Sequence, residues 1–135
     1  KDDYVRLMAE FETFRRRSSE DRLNLISSAA ADTIKGLLPV LDDCERAMEI
    51  LEKSSDEAAK EGTSLIYTKL MDYLKTRGLA KIEAKGEDFN TDFHEAVTQF
   101  PAPSEDMKGK VIDVVQTGYM LNGKILRYAK VVVGA

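Results

Sequence analysis

The chain has 135 residues, of which 33% are charged and 43% hydrophobic, enough for one ordinary domain or for a rod with a small domain attached, and too apolar for a disordered segment. Its net charge of -4 disfavours a nucleic-acid binder, because phosphate contacts call for a basic surface. One cysteine and one histidine exclude an internal disulfide and a zinc site built from several thiolates or imidazoles. No apolar run approaches the roughly 20 residues that a membrane-crossing helix needs, and no signal-peptide pattern opens the chain. It begins with Lys1 rather than Met, so a preceding segment is expected.

The first stretch, Lys1 to about Lys53, reads as one long helix. Tyr4, Leu7, Phe11 and Phe14 step by three and four residues; so do Ile26, Ala30, Ile34, Leu37, Leu41, Cys44, Met48 and Leu51. That spacing approximates a heptad seam, and a seam packs against another helix. The residues expected in it are Leu7, Phe11, Phe14, Ile26, Ile34, Leu37, Leu41 and Met48. Between the two runs a polar interval, Phe14 to Leu25, relaxes the supercoil towards straight helices. Such a helix reaches roughly 80 Å, and the rest of the chain is too small to cover it. A homodimer, parallel or antiparallel, follows. Pro39 in "GLLPVLDD" removes a donor and clashes with the preceding turn. The apolar stripe keeps its phase across it, which favours a kink, eased by Gly36, over a break. Cys44 reads as a small hydrophobe on the stripe.

Ser54 suits the N-cap of a second helix, with Glu57 completing a capping box. Ile66, Leu70, Tyr73 and Leu74 give that helix an apolar face, and Gly78 suits a left-handed cap. Gly62 in its interior costs about 1 kcal/mol relative to Ala, which points to close packing there. In a parallel dimer the helices make a four-helix bundle.

After Gly78 the period becomes alternating. Leu79 to Lys85 reads as a strand with Ala80, Ile82 and Ala84 on one face. "GEDFNTDF" reads as a turn capped by Asn90 or Thr91, followed by a helical turn around Phe93 to Ala96 and a short strand from Val97 to Phe100. "PAPSEDMKGK" is a loop. Val111 to Gln116 and Tyr119 to Leu121 are strands with a bend or bulge at Gly118. Asn122-Gly123 predicts a type I′ hairpin, and Ile125 to Val133 a last strand broken near Arg127 or Tyr128. The fold class is therefore α+β. Residues 1–78 form a helical dimerisation region (helices about 1–53 and 55–77), and residues 79–135 a small, mostly antiparallel β domain.

No catalytic set stands out: there is no glycine-rich phosphate loop, nucleophile elbow or metal-ligand cluster. His94 and Glu95, as helix neighbours, point about 100° apart and make a poor acid–base pair; a histidine that fixes a turn is the alternative. Asp42, Asp43 and Glu45 read as a solvated helix face. Arg15, Arg16 and Arg17 are either a solvated face or a contact for an acidic partner, since Arg grips carboxylates bidentately.

Four blocks then occur in order: "RLMAEFETFRRRSSED", "LLPVLDDCERAME", "FNTDFHEAV" and "GKVIDVVQTGYMLNGKILRYAKVVV". Together they resemble the GrpE family, the nucleotide exchange factors of DnaK-type chaperones, over nearly the whole chain. The last block, with Gln116, Gly118, Tyr119, Leu121, Asn122, Gly123 and Arg127, carries the resemblance most specifically. Thr91, where the family usually has proline, departs from it; so do Tyr128, Lys130 and Asn24 at other positions.

The resemblance implies a parallel homodimer whose β domain opens the chaperone's ATPase domain so that ADP leaves and ATP enters. It implies no enzyme activity, no cofactor or metal, no nucleic-acid, membrane or small-molecule partner, and a cytoplasmic location. It further implies chaperone contacts at Arg15, Arg46, Gly62, Phe89, Val115, Lys124 and Val133, with a core-facing role as the alternative for Val115 and Val133. The family's long helix pair is also thought to sense temperature, and the polar stretch Arg15 to Asn24 is where early melting is expected. The competing readings are a structural coiled-coil adaptor that binds another protein through its β domain and a dimeric DNA-binding protein using Arg15 to Arg17.

Overall fold

A computed structural model describes all 135 residues. Helix α1 runs over Asp2–Leu51, with Asp2 and Asp3 in its first turn, where the exposed backbone N–H groups favour negative charge. It is continuous through Pro39, so the stripe that keeps its phase across the proline marks one helix, not two. Helix α2 spans Glu57–Thr76. Its N-cap is Asp56, not the expected Ser54: the Asp56 carboxylate accepts from Ala59 N at 3.1 Å, while the Ser54 hydroxyl accepts from Asp56 N at 3.1 Å. The serine thus shapes the turn before the cap, and the charged oxygen takes the helix donor. At the other end Gly78, at φ 96°, accommodates the left-handed position after the helix as expected. Within one chain the apolar face of α2 matches the expected one only in part, with Leu74 buried and Leu70 half-buried. Met71 and Leu74 are buried, whereas Ile66 and Tyr73 are exposed.

The strands form two three-stranded sheets. In the first, β1 (Leu79–Lys81), β4 (Tyr119–Leu121) and β5 (Lys124–Arg127) pair antiparallel in the order β1-β4-β5. In the second, β6 (Ala129–Gly134) lies between β2 (His94–Phe100) and β3 (Val111–Gln116); β2 runs parallel to it and β3 antiparallel. The β3 and β4 boundaries match the sequence reading, and the last strand breaks at Tyr128. The turn at Asn122 (φ 51°) and Gly123 (φ 80°) has the two left-handed residues of a type I′ hairpin.

The chain passes from one sheet to the other at Thr117-Gly118 and again at Tyr128. There the backbones approach so closely that a Cβ on Gly118 would lie 2.8 Å from Ala129 Cα and overlap Ala129 N. Only glycine fits.

Two sequence expectations fail around the first two strands. The strand after Gly78 ends at Lys81, with Leu79 inward and Ala80 exposed; Ile82 and Ala84, beyond the strand, still turn towards the core. No helical turn forms at Phe93 to Ala96. The Asn90 carbonyl accepts from both Phe93 N and His94 N, and its Oδ1 accepts from Asp92 N, so the turn closes there. His94 then opens β2 opposite Ala129.

One core cluster is formed by Ala84, Val111, Ala129, Val131 and Val133, with Ile82, Phe89 and Val114 against it. The chain divides into two compact units, Lys1–Ile34 and Lys35–Ala135. The first is helical apart from Lys1, and its large apolar residues Leu7, Phe11, Phe14 and Ile26 are all exposed. The second holds the C-terminal third of α1, α2 and both sheets.

Candidate functional site

Within the second unit, α1 faces the sheets with a different stripe from the heptad seam. Leu38 and Leu41 are buried, and Asp42 and Glu45 continue the same side at helical spacing. Arg127, at the end of β5, grips Asp42 with two parallel hydrogen bonds of 2.7 Å, Nη1 to Oδ2 and Nη2 to Oδ1. The same guanidinium donates to the Thr117 carbonyl through Nε, at 3.1 Å, and Nη2, at 2.6 Å, and lies over the Tyr119 ring, 5.4 Å from its centroid.

Glu45 collects three hydrogen bonds and an ion pair from four places in the fold. Oε2 accepts from Thr117 Oγ1 at 2.9 Å; Oε1 accepts from Tyr67 Oη of α2 at 3.2 Å and from Tyr119 Oη of β4 at 3.3 Å. Lys81 of β1 brings its Nζ to 3.5 Å of Oε1. Burial, reinforced by the Glu45 charge, pushes the Tyr119 phenol well above its usual range. Burial also raises Tyr67, against the opposing pull of Lys81. Both phenols therefore stay protonated and keep donating to the carboxylate.

This arrangement corrects the solvated-face reading of Asp42 and Glu45. Asp43 alone of the three keeps it, pairing with Arg46 at the surface. The overlooked signal is that Ile34, Leu38, Leu41 and Glu45 step by four, three and four residues, a second stripe that shares Leu41 with the first.

The residues carried over from the resemblance are placed unevenly. Arg46 and Val115 come together: both line a concave surface between α1 and β3, with Pro39, Glu49 and Lys130 beside them. Val115 is 62% exposed. Lys124 is exposed at the start of β5, beside the hairpin. Phe89 is half-buried, tilted against His94 at 5.9 Å, and lines a separate groove with Phe93 and Met120. Arg15 is exposed on the helical first unit, 3.8 Å from Glu12. Gly62 is exposed with open space where a Cβ would stand, so nothing within the chain packs closely on it. Val133 is 6% exposed and belongs to the core cluster; its side chain supplies core, not surface, which is the alternative foreseen for it. Of the seam residues, Leu7, Phe11, Phe14 and Ile26 are exposed, Leu37 and Met48 are half-buried, and Ile34 and Leu41 are buried within the chain itself.

A family model described as GrpE matches residues 1–135. The chain belongs to the GrpE family. Over 135 residues it is 49% identical to Protein GrpE of Bacteroides fragilis, covering 99% of this chain and 69% of that protein. It is 48% identical to Protein GrpE of Bacteroides thetaiotaomicron over 135 residues, 99% of this chain and 70% of that one. With Protein GrpE of Francisella tularensis subsp. holarctica the identity is 40% over 134 residues, 98% of this chain and 68% of that protein. In this GrpE-family chain the Asp42–Arg127 and Glu45 contacts connect the helix that bears Arg46 to the strand that bears Lys124 and to the crossover that follows the strand of Val115. No helix is long and apolar enough to cross a membrane.

Proposed function

We propose that this chain is a co-chaperone, a homodimeric nucleotide exchange factor that engages the ATPase domain of a DnaK-type chaperone and opens its cleft so that ADP leaves and ATP binds. The observation that carries the reading is membership of the GrpE family along the whole chain. The concave surface shared by Arg46 and Val115 supports a place for the contact, because it offers a cation and an exposed apolar side chain on two different elements. Arg15, Gly62, Phe89 and Lys124 extend the proposed chaperone-binding set.

Such a factor does no covalent chemistry. It must bind the open, nucleotide-free chaperone more tightly than the closed one, since only differential affinity shifts a conformational equilibrium. Dimerisation is supported by the exposed Leu7, Phe11, Phe14 and Ile26, an apolar stripe that a second copy would cover. The polar stretch Arg15 to Asn24 is the proposed thermosensing segment, and the cytoplasm the proposed location.

Stopped-flow release of a fluorescent ADP analogue from the cognate chaperone tests the reading. Micromolar dimer should accelerate release by orders of magnitude; an unchanged rate refutes it.

A further inference from the structure

Two of the partners of Asp42 and Glu45 stand within three residues of a proposed contact. Thr117 is two residues from Val115, and Arg127 three residues from Lys124; on the helix, Glu45 and Asp42 precede Arg46 by one residue and one turn. Tyr119 is fully buried, and the side chains of Arg127 and Asp42 are only 17% and 28% exposed. A bidentate pair and a carboxylate with hydrogen bonds from α2, the β3–β4 crossover and β4 and an ion pair from β1 leave the first sheet little freedom to pivot on α1.

The geometry points to a polar bracket, Asp42–Arg127 with Glu45–Thr117–Tyr119–Tyr67–Lys81, that fixes the attitude of the β strands on the long helix and so sets the preference for the open chaperone. The inference rests on the exchange-factor reading above. An exchange factor that meets its partner with a helix and a sheet discriminates open from closed only if the two are rigidly spaced. A sheet free to pivot follows the cleft as it closes and binds both states alike, and a ligand with equal affinity for both shifts nothing. Asp42, Glu45, Thr117, Tyr119 and Arg127 are thus positioning residues.

The test compares the wild-type chain, Asp42→Asn, Arg127→Lys and Tyr119→Phe. Binding is measured by titration against nucleotide-free and ADP-bound chaperone, and exchange by the fluorescent ADP analogue at saturation. The wild type should prefer the nucleotide-free form. Folded variants should lose about tenfold of that ratio, through weaker binding of the open form, tighter binding of the ADP-bound form or both, and the maximal exchange rate should fall in parallel. Tyr119→Phe, which keeps the buried ring, should move the ratio in the same direction by less. A role confined to stability would lower the melting temperature and leave the ratio untouched; folded variants with the wild-type ratio overturn the bracket. Should Asp42→Asn fail to fold, Tyr119→Phe decides alone. A wild-type chain with no preference refutes the exchange-factor reading itself, and the bracket's role with it.

Discussion

Arg127 closes a fork-to-fork pair with Asp42 across 85 residues of sequence, both hydrogen bonds at 2.7 Å. The pair is largely screened from water, unlike the surface pair of Arg6 and Asp3, whose side chains are 72% and 92% exposed. Removing one partner therefore leaves a desolvated charge. Asp42→Ala should destabilise the chain by about 2–3 kcal/mol, whereas Asp3→Ala should cost well under about 1 kcal/mol. Urea unfolding of the two variants at one protein concentration distinguishes them.

Gly118 and Gly62 should respond oppositely to the same change. At Gly118 an added methyl group meets Ala129 backbone, which cannot retreat without disturbing both sheets, so Gly118→Ala should cost about 2 kcal/mol or more. At Gly62, in open space within a helix, Gly62→Ala should stabilise by about 1 kcal/mol. If Gly62 meets the chaperone as proposed, the stabilised variant also exchanges nucleotide more slowly. Thermal melting paired with the exchange assay reads both effects.

His94 is buried, and its Nδ1 accepts from Asn90 N at 3.1 Å. Burial lowers its pKa below the usual 6.5, partly countered by the charge of Glu87. The unfolded chain therefore takes up the proton first. This contribution to stability is complete above about pH 6.5 and is lost as the pH falls through the lower folded value. Unfolding free energy should decline from about pH 6.5 downwards, and His94→Asn, which keeps an acceptor near the same place but does not titrate, should flatten that slope. The groove floor next to Phe89 should loosen in parallel, seen as faster exchange of the Asn90 amide hydrogen.

The stripe Leu7, Phe11, Phe14 and Ile26 gives the first unit no core of its own. Melting of its helix should therefore depend on concentration, rising as the chain is concentrated. Phe11→Asp should abolish that dependence and yield a monomer by light scattering. A concentration-independent helix melt in the wild type would remove the homodimer.

The sequence by itself determined the extent of α1, the presence of α2, strands β3 and β4, and the Asn122-Gly123 turn. Each is written in local chemistry: a period of 3.6 or 2, or a residue pair that tolerates positive φ. Tertiary structure alone decided which side of α1 meets the sheets. Leu41 belongs both to the seam and to the stripe of Leu38 and Glu45, so periodicity could not choose between them. It also decided that His94 opens a strand, because its pairing partner, Ala129, lies far along the chain, and that Val133 turns into the core while Val115 faces water. In a strand, alternation tells that two faces differ; which one is covered depends on what the other strands and helices bring against it.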